Sequence, residues 1–193
     1  AEPALGLTEV VPTSDPVKRR LALDAAAEKV RASYTSARNE DERFIVADKA
    51  LARYDQLLAA WKDDPAAQGD VRRARIDRMG ALLVRKRTAD VIQEYESLSA
   101  DGEVPNYAKR WVASAWLSER QPEKTEAMLT SIYYPNGPIP VTPLSPEDQQ
   151  DLFYAHIDNE NFDAAKKQVD DLIKESPYLR RIYGSPTPQP NDN

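Results

Sequence analysis

Residues 145–177 read SPEDQQDLFYAHIDNENFDAAKKQVDDLIKESP, and the fold of the whole chain turns on them. Ser145 is a good N-cap, Pro146 fits a first helical position, and Asp148 sits where a capping carboxylate reaches back. The helix opened there carries Leu152, Phe153, His156 and Ile157 on one side. Asp158-Asn159-Glu160-Asn161 is polar turn material. Phe162 then restarts an apolar stripe through Ala165, Val169, Leu172 and Ile173, which Pro177 stops. The spacing predicts two helices folded back on each other.

The composition extends that reading to all 193 residues. About 41% are apolar and 30% charged, with only three Phe and six Gly. Such a balance is globular and all-α, with much solvated helical surface. The net charge of -6 argues against nucleic acid as a partner and permits a cationic one. With no cysteine, disulfides, thiol catalysis and cysteine-ligated metal are excluded. No run of about 18 apolar residues crosses a membrane as a helix. The chain opens AEPALGLTEVVPTSDP and ends SPTPQPNDN. It reads as a piece of a longer protein, so the lack of a signal peptide carries no information.

In chain order, residues 1–14 show little periodicity and are expected to be an irregular leader. Asp15-Pro16 opens a helix whose face carries Leu21, Leu23, Ala27, Val30 and Tyr34. After a polar break at 39–42, Phe44, Ala47, Leu51, Tyr54, Leu57, Leu58 and Trp61 form a long stripe ended by Asp63-Asp64-Pro65. From Asp70 a third helix carries Ile76, Met79, Leu82 and Leu83, and a fourth carries Val91, Tyr95 and Leu98. Pro105 starts another pair, with Trp111, Val112, Ala115 and Trp116, then Thr125, Leu129 and Ile132.

Val91, Thr125 and Ala165 take the same small-residue place in their second helices, 34 and 40 residues apart. The first interval is the period of the tetratricopeptide (TPR) repeat, and the second carries about six extra residues. The excess is the loop Pro135-Asn136-Gly137-Pro138-Ile139-Pro140-Val141-Thr142-Pro143-Leu144, a stiff spacer. Met79, Ala113 and Phe153 stand where the repeat consensus favours glycine, so the repeats are degenerate. The expected fold is all-α: tandem TPR-like hairpins forming a superhelical α-solenoid segment, with pairs at about 15–64, 70–100, 105–134 and 145–177. Residues 178–193 are expected to be a short docking segment (Tyr178 to Tyr183) and a proline-rich linker.

Catalytic chemistry is hard to build from this chain. Its single histidine, His156, falls on an inner helix face and reads as a packed core residue. One histidine makes neither a metal site nor a triad. No phosphate-binding glycine loop occurs. The adjacent carboxylates Glu147-Asp148 and Asp170-Asp171 point about 100° apart on a helix, so they form no acid/base couple. The basic groups at 18–20, 72–73 and 85–87 alternate with acids as solvated faces do. A non-enzyme without cofactor or metal is expected.

A surface remains. In TPR arrays the first helix of each pair lines a groove, and the register places there Arg73, Ile76, Asp77 and Gly80. The next pair adds Tyr107, Arg110, Trp111 and Ser114, and the last adds Glu147, Gln150, Asp151, Tyr154 and Asp158. The ligand-binding candidates are Asp77, Tyr107, Arg110, Trp111, Glu147, Asp151, Tyr154 and Asp158. Aromatic rings beside carboxylates suit an extended polar ligand, above all a sugar, and amines on it would add charge-assisted bonds and cation–π attraction. The alternative for Tyr107 and Trp111 is plain packing against the preceding pair.

The tail KESPYLRRIYGSPTPQPNDN, with TSIYYPNGPIPVTPLSPEDQQDLFYAHIDNENFDAAKKQVDDL before it, resembles the PgaA family, outer-membrane exporters of the biofilm polysaccharide poly-β-1,6-N-acetyl-D-glucosamine. The resemblance implies a longer parent with a signal peptide, a periplasmic TPR superhelix and a C-terminal β-barrel. It also implies a periplasmic polysaccharide deacetylase (PgaB-like) as partner and partly deacetylated, cationic polymer as cargo. It carries no catalytic motif onto this region. The expected role is thus to dock the deacetylase and guide the polymer; the alternative is a protein–protein scaffold that never meets sugar.

Overall fold

A computed structural model describes residues 14–138, 140–176, 178 and 181. The expected leader, save its last residue, and nearly all of the expected 178–193 segment lie outside them. All regular structure among the described residues is helical: α1 Pro16–Ser36, α2 Glu40–Trp61, α3 Gln68–Val84, α4 Thr88–Ala100, α5 Asn106–Ser118, α6 Pro122–Tyr133, α7 Pro146–Asp158 and α8 Phe162–Glu175, with a 3-10 turn at Pro65–Ala67. The chain is an all-α protein of TPR-like helical hairpins. It divides into two compact units, Ala1–Glu119 and Arg120–Asn193.

In the first unit α3 is the central element, packing on α1, α2, α4 and α5. It buries Ala74, Ile76, Met79, Ala81 and Leu82. Facing it, α2 buries Ala47, Ala50, Leu51, Tyr54, Leu57 and Trp61, the i, i+3, i+4, i+7 rhythm of one helix face. Each large apolar side chain removed from water contributes about 1.5–3 kcal/mol. Hydrogen bonds fix the ends: the Asn39 side chain accepts from Glu42 N–H, and Asp64 caps the 3-10 turn by accepting from Ala66 N–H. Arg19 of α1, only 1% exposed, reaches that turn. Its guanidinium donates to Asp70 Oδ2 (2.8 Å), Asp64 Oδ2 (3.3 Å) and the Ala66 carbonyl (2.8 Å).

The repeat is written in the backbone as well as in the side chains. Lys86, Arg120 and Glu160 are the only described non-glycine residues in the left-handed region, with φ of 58°, 57° and 57°. They stand 34 and 40 residues apart, the same intervals as Val91, Thr125 and Ala165. At Lys86 and Glu160 the next residue's N–H returns to a carbonyl five residues back, Arg87 to Leu82 and Asn161 to His156, which closes each helix in a Schellman turn. Val91, Thr125 and Ala165 are all buried, so the degenerate residues still fill the close-packed place.

In the second unit α6 packs on α7 and α7 on α8. Ser145 caps α7 as its sequence demands, accepting from Asp148 N–H at 3.1 Å and donating to Asp148 Oδ2 at 2.6 Å. The Tyr133 hydroxyl donates to that same oxygen at 2.6 Å. The buried carboxylate therefore ties the end of α6 to the start of α7. Val141 N–H donates to the Tyr133 carbonyl at 2.8 Å, pinning the proline-rich connection.

Candidate functional site

Three of the predicted site residues, Asp77, Tyr107 and Trp111, meet in the first unit. The Tyr107 hydroxyl on α5 lies near the Asp77 carboxyl on α3 and favours its charged form. The rings of Tyr107 and Trp111 stand edge to face, with centroids 5.2 Å apart, and Trp111 lies over Gly80. A Cβ at Gly80 would sit 3.1 Å from Trp111 Cη2, so the glycine is what lets the indole rest on α3. Trp111 does pack against the preceding hairpin, as one of the two expectations held. It remains half-buried, while Tyr107 is 39% exposed.

Asp77 is held in an electrostatic imbalance. Its side chain is 16% exposed, and Arg73 Nε lies 3.8 Å from its Oδ2, too far for a hydrogen bond. Arg73 instead donates to Asp24 Oδ1 at 2.7 Å. Burial pushes the Asp77 carboxyl pKa up, and neither the Arg73 charge nor the nearby Tyr107 hydroxyl offsets it. Burial likewise opposes the charge of Arg73, but the bond to Asp24 and the nearby Asp77 carboxylate outweigh it and raise its pKa. The two shifts agree once geometry is considered: Arg73 has its partner in Asp24, whereas Asp77 has only a share of a cation. Asp77 Oδ2 and Arg73 Nη1 are both buried without a hydrogen-bond partner.

Two further tyrosines join this cluster. Tyr54 is 2% exposed, and burial, then the Asp77 charge, push its hydroxyl pKa up. Tyr34 is pushed up to about 12 by burial and by Asp48, and its buried hydroxyl lacks a hydrogen-bond partner. Sequence reasoning placed both on apolar faces and missed their polar ends. The available signal was that a phenol in an apolar stripe needs something to bond.

The other predicted residues sit elsewhere. Arg110 is half-buried on α5. Glu147, Asp151, Tyr154 and Asp158 share one face of α7, since residues four apart stand close to one line at about 100° per residue. Tyr154 is 48% exposed and its ring lies 5.9 Å from that of Phe153; Glu147 and Asp158 are exposed and Asp151 half-buried. His156 is packed, with Nδ1 3.3 Å from Glu126 Oε1 but not aligned for a hydrogen bond. Glu126 accepts instead from Asn159 (2.5 Å) and Asn161 (3.2 Å). Among the described residues, no group of three or more His, Cys, Asp or Glu side chains could hold a metal ion. No described helix is long and apolar enough to cross a membrane.

No family model matches the chain. Two curated proteins do, the poly-beta-1,6-N-acetyl-D-glucosamine export proteins of Escherichia coli K12 and of Escherichia coli O157:H7, each 40% identical over 170 residues. The match takes in 88% of this chain and 21% of each relative, so the chain spans about one-fifth of their length. On that identity and coverage the chain is a PgaA-like segment, similar to part of the poly-β-1,6-N-acetyl-D-glucosamine export protein.

Proposed function

We propose that the chain is a non-catalytic, periplasmic TPR segment of a biofilm exopolysaccharide exporter. It docks a PgaB-like polysaccharide deacetylase and guides partly deacetylated, cationic poly-β-1,6-N-acetyl-D-glucosamine toward an outer-membrane pore. The observation that carries the sugar-guiding part is Asp77, a carboxylate short of positive charge, beside the partly exposed rings of Tyr107 and Trp111. An amino-sugar answers both features: its ammonium supplies the charge, and its flat apolar face lies on a ring. The acidic face of α7 offers further carboxylates. Each solvated ionic contact is worth about 0–1 kcal/mol, so a short oligomer binds weakly and in a salt-sensitive way.

Trp111→Ala and Asp151→Ala are each expected to weaken binding of a β-1,6-linked glucosamine oligomer while the chain stays folded, read by amide NMR and circular dichroism. Unchanged binding in both variants sinks the groove assignment. Titration with the deacetylase tests the docking part separately.

The protein-scaffold reading has its own support in α8. Phe162 is 59% and Val169 40% exposed there, on one stripe of a helix that buries little else, and exposed apolar stripes of this kind meet proteins rather than sugars. Oligomer titrations without any shift, together with shifts on adding deacetylase, would favour it.

A further inference from the structure

The second unit holds a cavity of about 660 Å³ walled by α6, the proline-rich connection, α7 and α8. None of the predicted site residues lines it. On α7 its lining residues are Gln149, Leu152 and His156, which at about 100° per residue fall on the side of the helix opposite Glu147, Asp151, Tyr154 and Asp158. It is therefore a site distinct from the acidic face of α7.

Its chemistry differs as well. Pro140, Pro143, Leu144, Leu152 and Leu172 give it apolar walls. The prolines and the Val141–Tyr133 hydrogen bond hold the connection open over α8, so the cavity is preformed. The charged residues on its lining, Lys167 and Asp171, are bonded to each other at 2.5 Å, and no uncommitted carboxylate faces in. The other polar side chains on the lining are those of Thr130, Tyr134, Thr142, Gln149, His156 and Gln168, none of them a carboxylate. Gln168 donates to the Gln149 carbonyl at 2.6 Å, which leaves its own Oε1 without a partner. Such a volume, mostly apolar with a few polar groups, has the make-up of a small-molecule site.

We propose that this cavity is a subsite for neutral, N-acetylated amino-sugar units. An acetamido group brings a methyl for the proline and leucine walls and an N–H and C=O for the threonines and glutamines. An ammonium would be desolvated there with no free counter-charge, which is unfavourable. The selectivity is thus the reverse of that at Asp77, and a partly deacetylated polymer presents both kinds of unit. The inference rests on the reading that the chain handles this polymer.

The test is amide NMR of the 193-residue chain with two probes, β-1,6-linked N-acetylglucosamine trisaccharide and its fully de-N-acetylated counterpart. The acetylated probe is expected to shift Thr142, Ala164 and Gln168 at least fivefold more tightly than the deacetylated one. Val141→Trp changes a side chain that is 55% exposed, so it leaves the fold intact while filling the mouth; it is expected to weaken those shifts about tenfold. Trp111→Ala should leave them unchanged. Equal or tighter binding of the deacetylated probe in the cavity overturns the proposal. Shifts at Asp77 and Tyr107 with none in the cavity overturn it while leaving the guiding role standing, and shifts with neither probe anywhere overturn both. Cavity shifts produced only by the deacetylase overturn it in favour of a docking pocket for an apolar side chain.

Discussion

At the scale of residues, Asp77 links the fold to the proposed ligand. Its folded-state pKa lies above the unfolded value, so the folded chain holds the Asp77 proton more tightly than the unfolded one. Stability associated with this group therefore rises as the pH falls from neutral through the raised pKa, and is missing above it. Asp77→Asn removes the dependence. In urea titrations at several pH values, the difference between parent and variant should move in the parent's favour as the pH drops; a difference flat with pH contradicts the assignment. Binding runs the opposite way, because protonating Asp77 discards the charge that attracts an amine, so affinity for a glucosamine oligomer should fall over the same window. Gly80 makes a second prediction at this scale. Gly80→Leu gains helix propensity worth about 1 kcal/mol or less but pushes the Trp111 ring off α3. The Trp111 indole resonance should move and oligomer affinity should drop severalfold, while the far-ultraviolet circular dichroism is kept.

At the scale of elements, the hairpins were legible because their punctuation is local. Ser145-Pro146, Asp64-Pro65 and Asp15-Pro16 mark helix starts with groups that act within three residues of themselves. The repeat interval was legible in Val91, Thr125 and Ala165, and the left-handed residues Lys86, Arg120 and Glu160 carry it in the turns. A left-handed residue with a Cβ costs roughly 1–2 kcal/mol, part of which glycine recovers. Glu160→Gly is accordingly expected to stabilise the chain by about 0.5–1 kcal/mol in urea unfolding. The cluster around Asp77 was only half legible. The register named Asp77, Tyr107 and Trp111, but Tyr34, Tyr54 and Asp24 join them through packing between helices far apart in sequence, which no local pattern encodes. The cavity was invisible for a different reason: its lining runs through consecutive elements from Thr130 to Leu172, but the proline-rich connection at its centre reads in the sequence only as a stiff spacer. Arg19 had the look of a solvated charge in a basic run, yet it is the buried clamp of α1. Arg19→Met should lose about 2–3 kcal/mol, below the full loss for a broken buried pair because Asp64 and Asp70 keep some solvent.

At the scale of the whole molecule, net charge is the property that bears on a charged partner. A chain of net charge -6 attracts a polycation over roughly a Debye length, about 8–10 Å in physiological salt. Association with a partly deacetylated polymer should therefore weaken steadily with added salt, whereas association with a neutral polymer should barely respond. The same reasoning separates guiding from scaffolding, since a scaffold for a protein partner owes its contacts to faces such as the Phe162–Val169 stripe rather than to the carboxylates.

The most direct measurement is amide NMR of the chain titrated with β-1,6-linked glucosamine oligomers at low and at high salt, followed at Asp77, Tyr107 and Trp111. Shifts at these residues should grow with the deacetylated ligand and fade as salt is raised. No shift there at low salt, or shifts indifferent to salt, would contradict the guiding role.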